Sequence, residues 1–290
     1  MSKVTIAQKE KAKRFHQIIF SWFRTHERQM AWRETFDPYE ILVSEVMLQQ
    51  TQVDRVRTKY DEFLVRFPDV HALAAAPLSE VLTLWSGLGY NRRARYLQDC
   101  AKAVVVHYGG VFPQTYEELV ALPGIGRSTA GALLAFSFGK ETPMIDTNIR
   151  RILTRVFFAR AKTPPTDAEL YDFASAIIPR GKGRVWNYAL LDIGATLCTA
   201  RGHHDDCPLV PLHGKVADVV KPKKAETFHG SARFWRGKIM RALIAHGDMS
   251  LAALAKAIDL PKEETVMHVD TLIRDRLVHQ SRGCISLKKG

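Results

Sequence analysis

The chain has 290 residues, 46% hydrophobic and 25% charged, with 42 Lys and Arg against 30 Asp and Glu, a formal net charge of +12. Such a chain buries a sizeable core in two or three compact units, and its basic balance favours a polyanion as partner. With no apolar run near the roughly 18 residues of a membrane span, no signal-peptide core, and four dispersed cysteines (Cys100, Cys198, Cys207, Cys284) in place of a disulfide framework, a soluble cytoplasmic protein is expected.

In chain order, Phe15, Ile18, Ile19, Trp22 and Phe23 recur at helical intervals and predict an amphipathic helix over Ala7–Thr25. A polar stretch, His26–Phe36, contains Met30-Ala31-Trp32-Arg33 and ends at Asp37-Pro38, a helix start. The next helix is apolar on nearly all sides except at Glu45, which lies among Ile41, Leu42, Val43, Val46, Met47 and Leu48. A carboxylate there is costly to bury unless it is paired or protonated. Helices are predicted over Val53–Arg66, Asp69–Ala76 and Leu78–Trp85. The small turn Ser86-Gly87-Leu88-Gly89-Tyr90 then leads into a basic helix, Arg92–His107. Arg92, Arg93 and Arg95 in its first turn oppose the helix dipole and point to an anionic partner.

Thr115–Ala121 forms a helix that enters the turn Leu122-Pro123-Gly124-Ile125-Gly126. Its two glycines permit backbone angles and close approaches that a Cβ would forbid. Small residues (Ser128, Ala130, Gly131, Ala132, Ala135) follow at helical spacing, so the free N–H groups of a helix start face whatever lies against the turn, a position suited to a phosphate. Asp146 opens another helical pattern, Ile149–Phe158. The plainer alternative is an ordinary helix–helix turn with Asp146 as the next N-cap. Helices are further predicted over Asp167–Ile178 and Val185–Thr196, then a loop over Cys198–Val219 and the basic linker Lys221–Lys224. Three short helices (Arg233–His246, Ser250–Ile258, Lys262–Arg276) and a hairpin over Leu277–Leu287 suggest a winged helix-turn-helix at 226–290.

These motifs, taken together and in order, resemble those of the helix-hairpin-helix DNA glycosylases, and most closely the adenine glycosylases of the MutY type, over roughly residues 15–207. The resemblance implies an all-α fold of two helical subdomains flanking a DNA-binding cleft. One would be built from 1–33 plus 141–220, the other from 34–140. It also implies a monofunctional glycosylase of base-excision repair that releases adenine mispaired with 8-oxoguanine or guanine from double-stranded DNA and acts as a monomer. Glu45 would be the general acid, with a raised pKa, and Asp146 the carboxylate that stabilises the sugar, its geometry held by Asn148. Lyase-competent relatives carry a lysine where this chain has Ser128, so an abasic site without strand cleavage is expected. Gln50 and Tyr90 match residues that wedge into the duplex, and Leu122, Gly124, Gly126, Arg127 and Ser128 match the DNA-binding hairpin. Arg28, Met30, Trp32 and Arg33, with Ser128 and Tyr188, fall where the family lines its base pocket.

The pattern departs from the family at three points. Relatives close the second subdomain with a four-cysteine iron–sulfur loop, but 198–213 retains only Cys198 and Cys207. No cofactor is therefore expected, with a zinc site at Cys198, His204, Cys207 and His213 as the alternative. Tyr188 stands where relatives have glutamate or glutamine near the flipped base. The winged-helix-like tail replaces the Nudix-like domain that reads 8-oxoguanine. A thymine or damaged-pyrimidine mismatch glycosylase and a non-catalytic DNA-binding regulator are the competing readings.

Overall fold

The structure, a computed structural model, describes residues 4–200, 202–203, 205–213 and 227–288. The helices are α1 (Ile6–His26), α2 (Pro38–Leu48), α3 (Val53–Arg66), α4 (Val70–Ala75), α5 (Leu78–Trp85), α6 (Arg92–Tyr108), α7 (Tyr116–Ala121), α8 (Arg127–Phe136), α9 (Thr147–Phe157), α10 (Asp167–Ile177), α11 (Gly183–Thr196), α12 (Val210–His213), α13 (Ala232–His246), α14 (Leu251–Ile258) and α15 (Lys262–Arg274). A 3-10 turn, Ala31–Arg33, follows α1, and among the described residues there are five short strands: β1 (Cys198–Thr199), β2 (Gly202–His203), β3 (Met249–Ser250), β4 (Val278–Ser281) and β5 (Cys284–Leu287). Among the described residues no helix is long and apolar enough to cross a membrane.

The chain divides into two compact units: Met1–Ile41 with Gln114–Ala121 and Ile125–Lys223, and Leu42–Pro113 with Leu122–Gly124 and Lys224–Gly290. In the first, α11 packs against α1, α8 and α9. Its residues Trp186, Asn187, Tyr188, Ala189, Leu190, Asp192, Ile193 and Gly194 are all buried, as an almost unbroken apolar run requires. A capping box between Thr5 and Gln8 starts α1 and turns Phe15, Ile19 and Phe23 into the core. Each such side chain contributes about 1.5–3 kcal/mol by leaving water.

In the second unit α6 packs against α4 and α5. Phe63 meets Phe67 and Trp85 edge-on, with ring centres 5.0 and 6.1 Å apart. Gln98 is buried but satisfied, its amide donating to the Leu73 and Ala76 carbonyls at 3.2 and 2.6 Å. The C-terminal residues form three mutually packed helices, α13–α15, with an antiparallel sheet of order β3-β5-β4. Arg282-Gly283, with φ of 49° and 78°, is the two-residue turn between β4 and β5, of the mirror-image kind that matches strand twist. The third strand, β3, is two residues long, too short to leave a periodic signal in the sequence.

Candidate active site and nucleic-acid interface

Asp146 lies at the N-cap of α9, and its carboxylate is held by three donors. Oδ1 accepts from the backbone N–H of Asn148 and Ile149 at 2.9 and 2.8 Å, and Oδ2 accepts from Asn148 Nδ2 at 2.9 Å. The two readings of Asp146 therefore share one geometry, because the cap fixes the carboxylate. Burial pushes its pKa above the ordinary aspartate value, against the pull of these hydrogen bonds and of Arg151. Arg151 in turn locks Asn148, donating to Asn148 Oδ1 at 2.7 Å, to the Gly194 carbonyl at 2.8 Å and to the Cys198 carbonyl at 2.7 Å.

The segment leading to Asp146 is anchored by Asn187, fully buried on α11. Its Oδ1 accepts from Met144 N at 2.8 Å, and its Nδ2 donates to the Thr142 and Gly183 carbonyls at 3.0 and 2.8 Å. On the other side α8 approaches so closely that a Cβ on Gly131 would stand 2.4 Å from the Pro143 carbonyl oxygen. Gly131, among the small residues after the hairpin, thus lets α8 close onto the extended segment that delivers Asp146.

Of the residues expected to line a base pocket, Arg28 and Arg33 converge on Asp192, which the sequence pattern did not single out, and Tyr188 lies against Arg33. Arg33 donates to Asp192 Oδ2 and Oδ1 at 2.8 and 2.7 Å, with both side chains nearly inaccessible. Arg28 joins through its backbone N–H, at 3.2 Å, and a guanidinium 3.8 Å away. Tyr188 stacks on Phe136 with ring centres 4.1 Å apart and planes 14° from parallel, while the Arg33 guanidinium lies 4.4 Å from the ring centre. Met30, Trp32 and Tyr188 are buried, and Ser128 is half-buried as the second residue of α8. Arg184 ties this cluster to α8 by donating to the carbonyls of Phe136, Arg33 and Thr35.

At the hairpin, Gly124 has φ +76°, and a Cβ there would meet Tyr96 Cβ at 2.7 Å. Gly126 differs from expectation: its backbone is extended, and nothing lies within 4 Å of where a Cβ would be. It also provides no side-chain cap to α8. Arg127 is exposed, with Nε donating to Tyr116 Oη at 3.1 Å and its guanidinium 4.2 Å from the Tyr171 ring centre, while Leu122 is buried.

In the second unit Glu45 is half-buried on α2 between Ser44 and Val46, both buried. Gln50 and Tyr90, the two expected wedge residues, are exposed and both have left-handed backbones, φ 56° and 49°. Non-glycine residues rarely adopt this conformation, and it persists only where the surroundings impose it. Arg93 binds the residues that flank both. Its Nη1 donates to the Val46 and Met47 carbonyls at 2.6 and 3.0 Å, and its Nη2 to Thr51 Oγ1, Leu88 O and Gly89 O at 3.0, 3.3 and 3.1 Å. For Arg93 the expectation that a first-turn arginine of α6 serves an anionic partner is thereby corrected, its guanidinium being taken up by oxygens of the fold. Arg93 joins the bend after α2 to the bend before α6, Arg95 donates to the Asp275 carbonyl at 2.8 Å, and Arg92 pairs with Asp275 at 3.5 Å.

Residues 43–178 match the HhH-GPD superfamily of base excision DNA repair proteins. An adenine DNA glycosylase of Mycolicibacterium smegmatis is 36% identical over 233 residues, 78% of each chain. The chain belongs to the HhH-GPD superfamily. It is also 39% identical over 199 residues to an adenine DNA glycosylase of Buchnera aphidicola, spanning 56% of that protein, and 38% identical to that of Homo sapiens, spanning 38% of it. Among solved structures, a thermostable thymine-DNA glycosylase superposes with a TM-score of 0.67 at 31% identity, covering 72% of this chain and 97% of that one. An endonuclease III–DNA complex, 23% identical with a TM-score of 0.60, shares the fold.

The iron–sulfur cluster of HhH-GPD relatives does not fit the residues in this chain. A cubane needs four thiolates, and Cys100 and Cys284 belong to the other unit. Cys198 Sγ accepts from Arg155 Nη1 at 3.1 Å, and burial, followed by the neighbouring Cys198, raises the Cys207 pKa. Arg155 and Arg151 donate to the Thr199 and Cys198 carbonyls, so two guanidiniums brace the start of this loop. His204, in the alternative zinc set, lies outside the described residues. Among the described residues no group of three or more His, Cys, Asp or Glu is placed to hold a metal.

Proposed function

We propose that this HhH-GPD protein is a monofunctional adenine DNA glycosylase. It hydrolyses the N-glycosidic bond of adenine mispaired with 8-oxoguanine or guanine in double-stranded DNA and acts as a cytoplasmic monomer on nucleoid DNA without a cofactor. The observation that carries the reading is the carboxylate of Asp146, fixed by three donors in a chain whose relatives are named adenine DNA glycosylases. In this reading Glu45 protonates the departing adenine, and Asp146, ionised, stabilises the positive charge that develops on the sugar. The bond breaks as the proton reaches adenine, and water then adds to C1′ of the sugar cation and gives up one proton to the Glu45 carboxylate, restoring the acid; no Schiff base forms because Ser128 offers no amine. The uncapped N–H groups at the start of α8, beside an open Gly126, suit a DNA phosphate.

A second reading, a thymine mismatch glycosylase, draws on the thymine-DNA glycosylase likeness, which spans nearly all of that chain, and on Tyr188 standing near the expected base site. Duplexes carrying A·8-oxoguanine, A·G and T·G, treated with alkali to break abasic sites, separate the two. Adenine-strand cleavage supports the first reading, thymine-strand cleavage the second, and no cleavage from any duplex leaves only a DNA-binding regulator. Glu45→Gln and Asp146→Asn should each abolish base release while leaving duplex affinity within about twofold, since neither removes a cation that meets phosphate. Loss of binding in step with activity contradicts the assigned roles.

A further inference from the structure

The C-terminal module is built onto the helix that carries the wedge loop. Asp275, just after α15, accepts from Arg236 of α13 and pairs with Arg92 of α6, and its carbonyl accepts from Arg95 of α6. This docking places Arg233, in the first turn of α13, against Tyr90. The Arg233 guanidinium donates to Tyr90 Oη and lies 5.2 Å from the Tyr90 ring centre and 5.0 Å from that of Phe228. Arg93 lies 5.5 Å from the same Tyr90 ring. An exposed aromatic ring on a left-handed backbone is therefore contacted by two guanidiniums, one from the helix that follows it and one from the tail.

We propose that the C-terminal module is a positioning element for duplex entry, in which Arg233 orients Tyr90 before and during insertion beside the target base. The proposal rests on the reading of Tyr90 as a wedge. A flexible tyrosine would lose rotamer freedom on insertion, and a side chain already oriented by a hydrogen bond and a cation–π contact loses less. The same guanidinium could instead meet a phosphate, and the two roles differ in salt dependence. A lost phosphate contact lowers the slope of log K against log salt by about 0.9, whereas lost orientation leaves it unchanged.

The test uses the full chain and an A·8-oxoguanine duplex with 2-aminopurine beside the target, comparing the parent protein, Arg233→Ala, Tyr90→Ala and the double variant. Arg233→Ala should lower kcat/KM about tenfold and reduce the 2-aminopurine signal at saturating protein, with an unchanged salt slope. In the Tyr90→Ala background it should have no further effect. Additive losses, a salt slope reduced by about one contact, or an unaffected Arg233→Ala overturn the proposal. Tyr90→Ala with parental base release and fluorescence would instead remove the wedge reading on which it stands. Should Arg233→Ala lose the fold by circular dichroism, Arg233→Gln, which keeps a donor for the hydroxyl but not the cation, enters the same cycle.

Discussion

Replacing Arg93 with methionine should uncouple the two bends that present Gln50 and Tyr90. Methionine keeps most of the stem but removes every donor. Two terminal nitrogens serve five oxygens, so the interaction amounts to roughly two charge-assisted hydrogen bonds at about 1.5–3 kcal/mol each. Opposing this is the cost of holding the guanidinium away from water, which pushes its pKa down to about 10 and is relieved by the substitution. The Gly89 carbonyl, in an exposed residue, also regains water. A net loss of about 2–3 kcal/mol remains, or about 4–12 °C in Tm for a chain of this class. The left-handed backbones at 50 and 90, each costing about 1–2 kcal/mol, would then relax. Calorimetry gives the stability, and single-turnover base release well below Tm gives the function. The expected result is a kcat/KM at least about tenfold lower where the variant is fully folded. A variant that melts earlier yet releases base at the parental rate would refute the coupling, and one unchanged in both would refute the bracing role. Arg93→Lys, with one compact ammonium for five acceptors, should fall between.

Asp192→Asn should destabilise by about 3–5 kcal/mol in denaturant melts, because it leaves the inaccessible Arg33 cation uncompensated; Arg33→Met with Asp192→Leu should recover most of that. For Asp146, whose folded pKa is raised by burial, the acid limb of single-turnover base release should lie above the ordinary value of 3.8, and Asp146→Asn, an equally good N-cap, should lose activity with little change in Tm. His16 is held neutral by burial, with a folded pKa lowered from 6.5 to about 4. The unfolded chain therefore binds the extra proton first, so His16's contribution to stability is present above pH 6.5 and is lost as pH falls towards 4; urea melts of His16→Gln should show a shallower decline across that window.

Much of this fold follows from patterns within single segments. Phe15, Ile19 and Phe23 announce α1 by spacing, Asp37-Pro38 and Asp146 announce helix starts, and Glu45 stands out as one acid in an apolar run. Asp192 had the same kind of signal, an acid in the apolar run W-N-Y-A-L-L-D-I, but its meaning depends on Arg33, 159 residues away, and no local pattern names that partner. Gly131 was legible as a small residue but not as the point where α8 meets Pro143, because a glycine in sequence does not reveal what its missing Cβ would strike.

The arginines show the same limit. A basic residue in a helix's first turn looks, in sequence, as if it awaits an anion. The fold offers another kind of acceptor, backbone carbonyls left free at helix ends and bends. Arg93, Arg151 and Arg184 each donate to two or more such carbonyls, and Arg155 donates to the Thr199 carbonyl and the Cys198 sulfur; a planar group with five N–H donors can do this and an ammonium cannot match it. Net charge counts these inward-facing guanidiniums and the exposed Arg127 alike, although counterion release depends only on cations that reach phosphate. The formal +12 is therefore an upper guide to the protein's electrostatic grip on DNA, because Arg93, Arg151 and Arg184 are occupied by carbonyls of the fold itself.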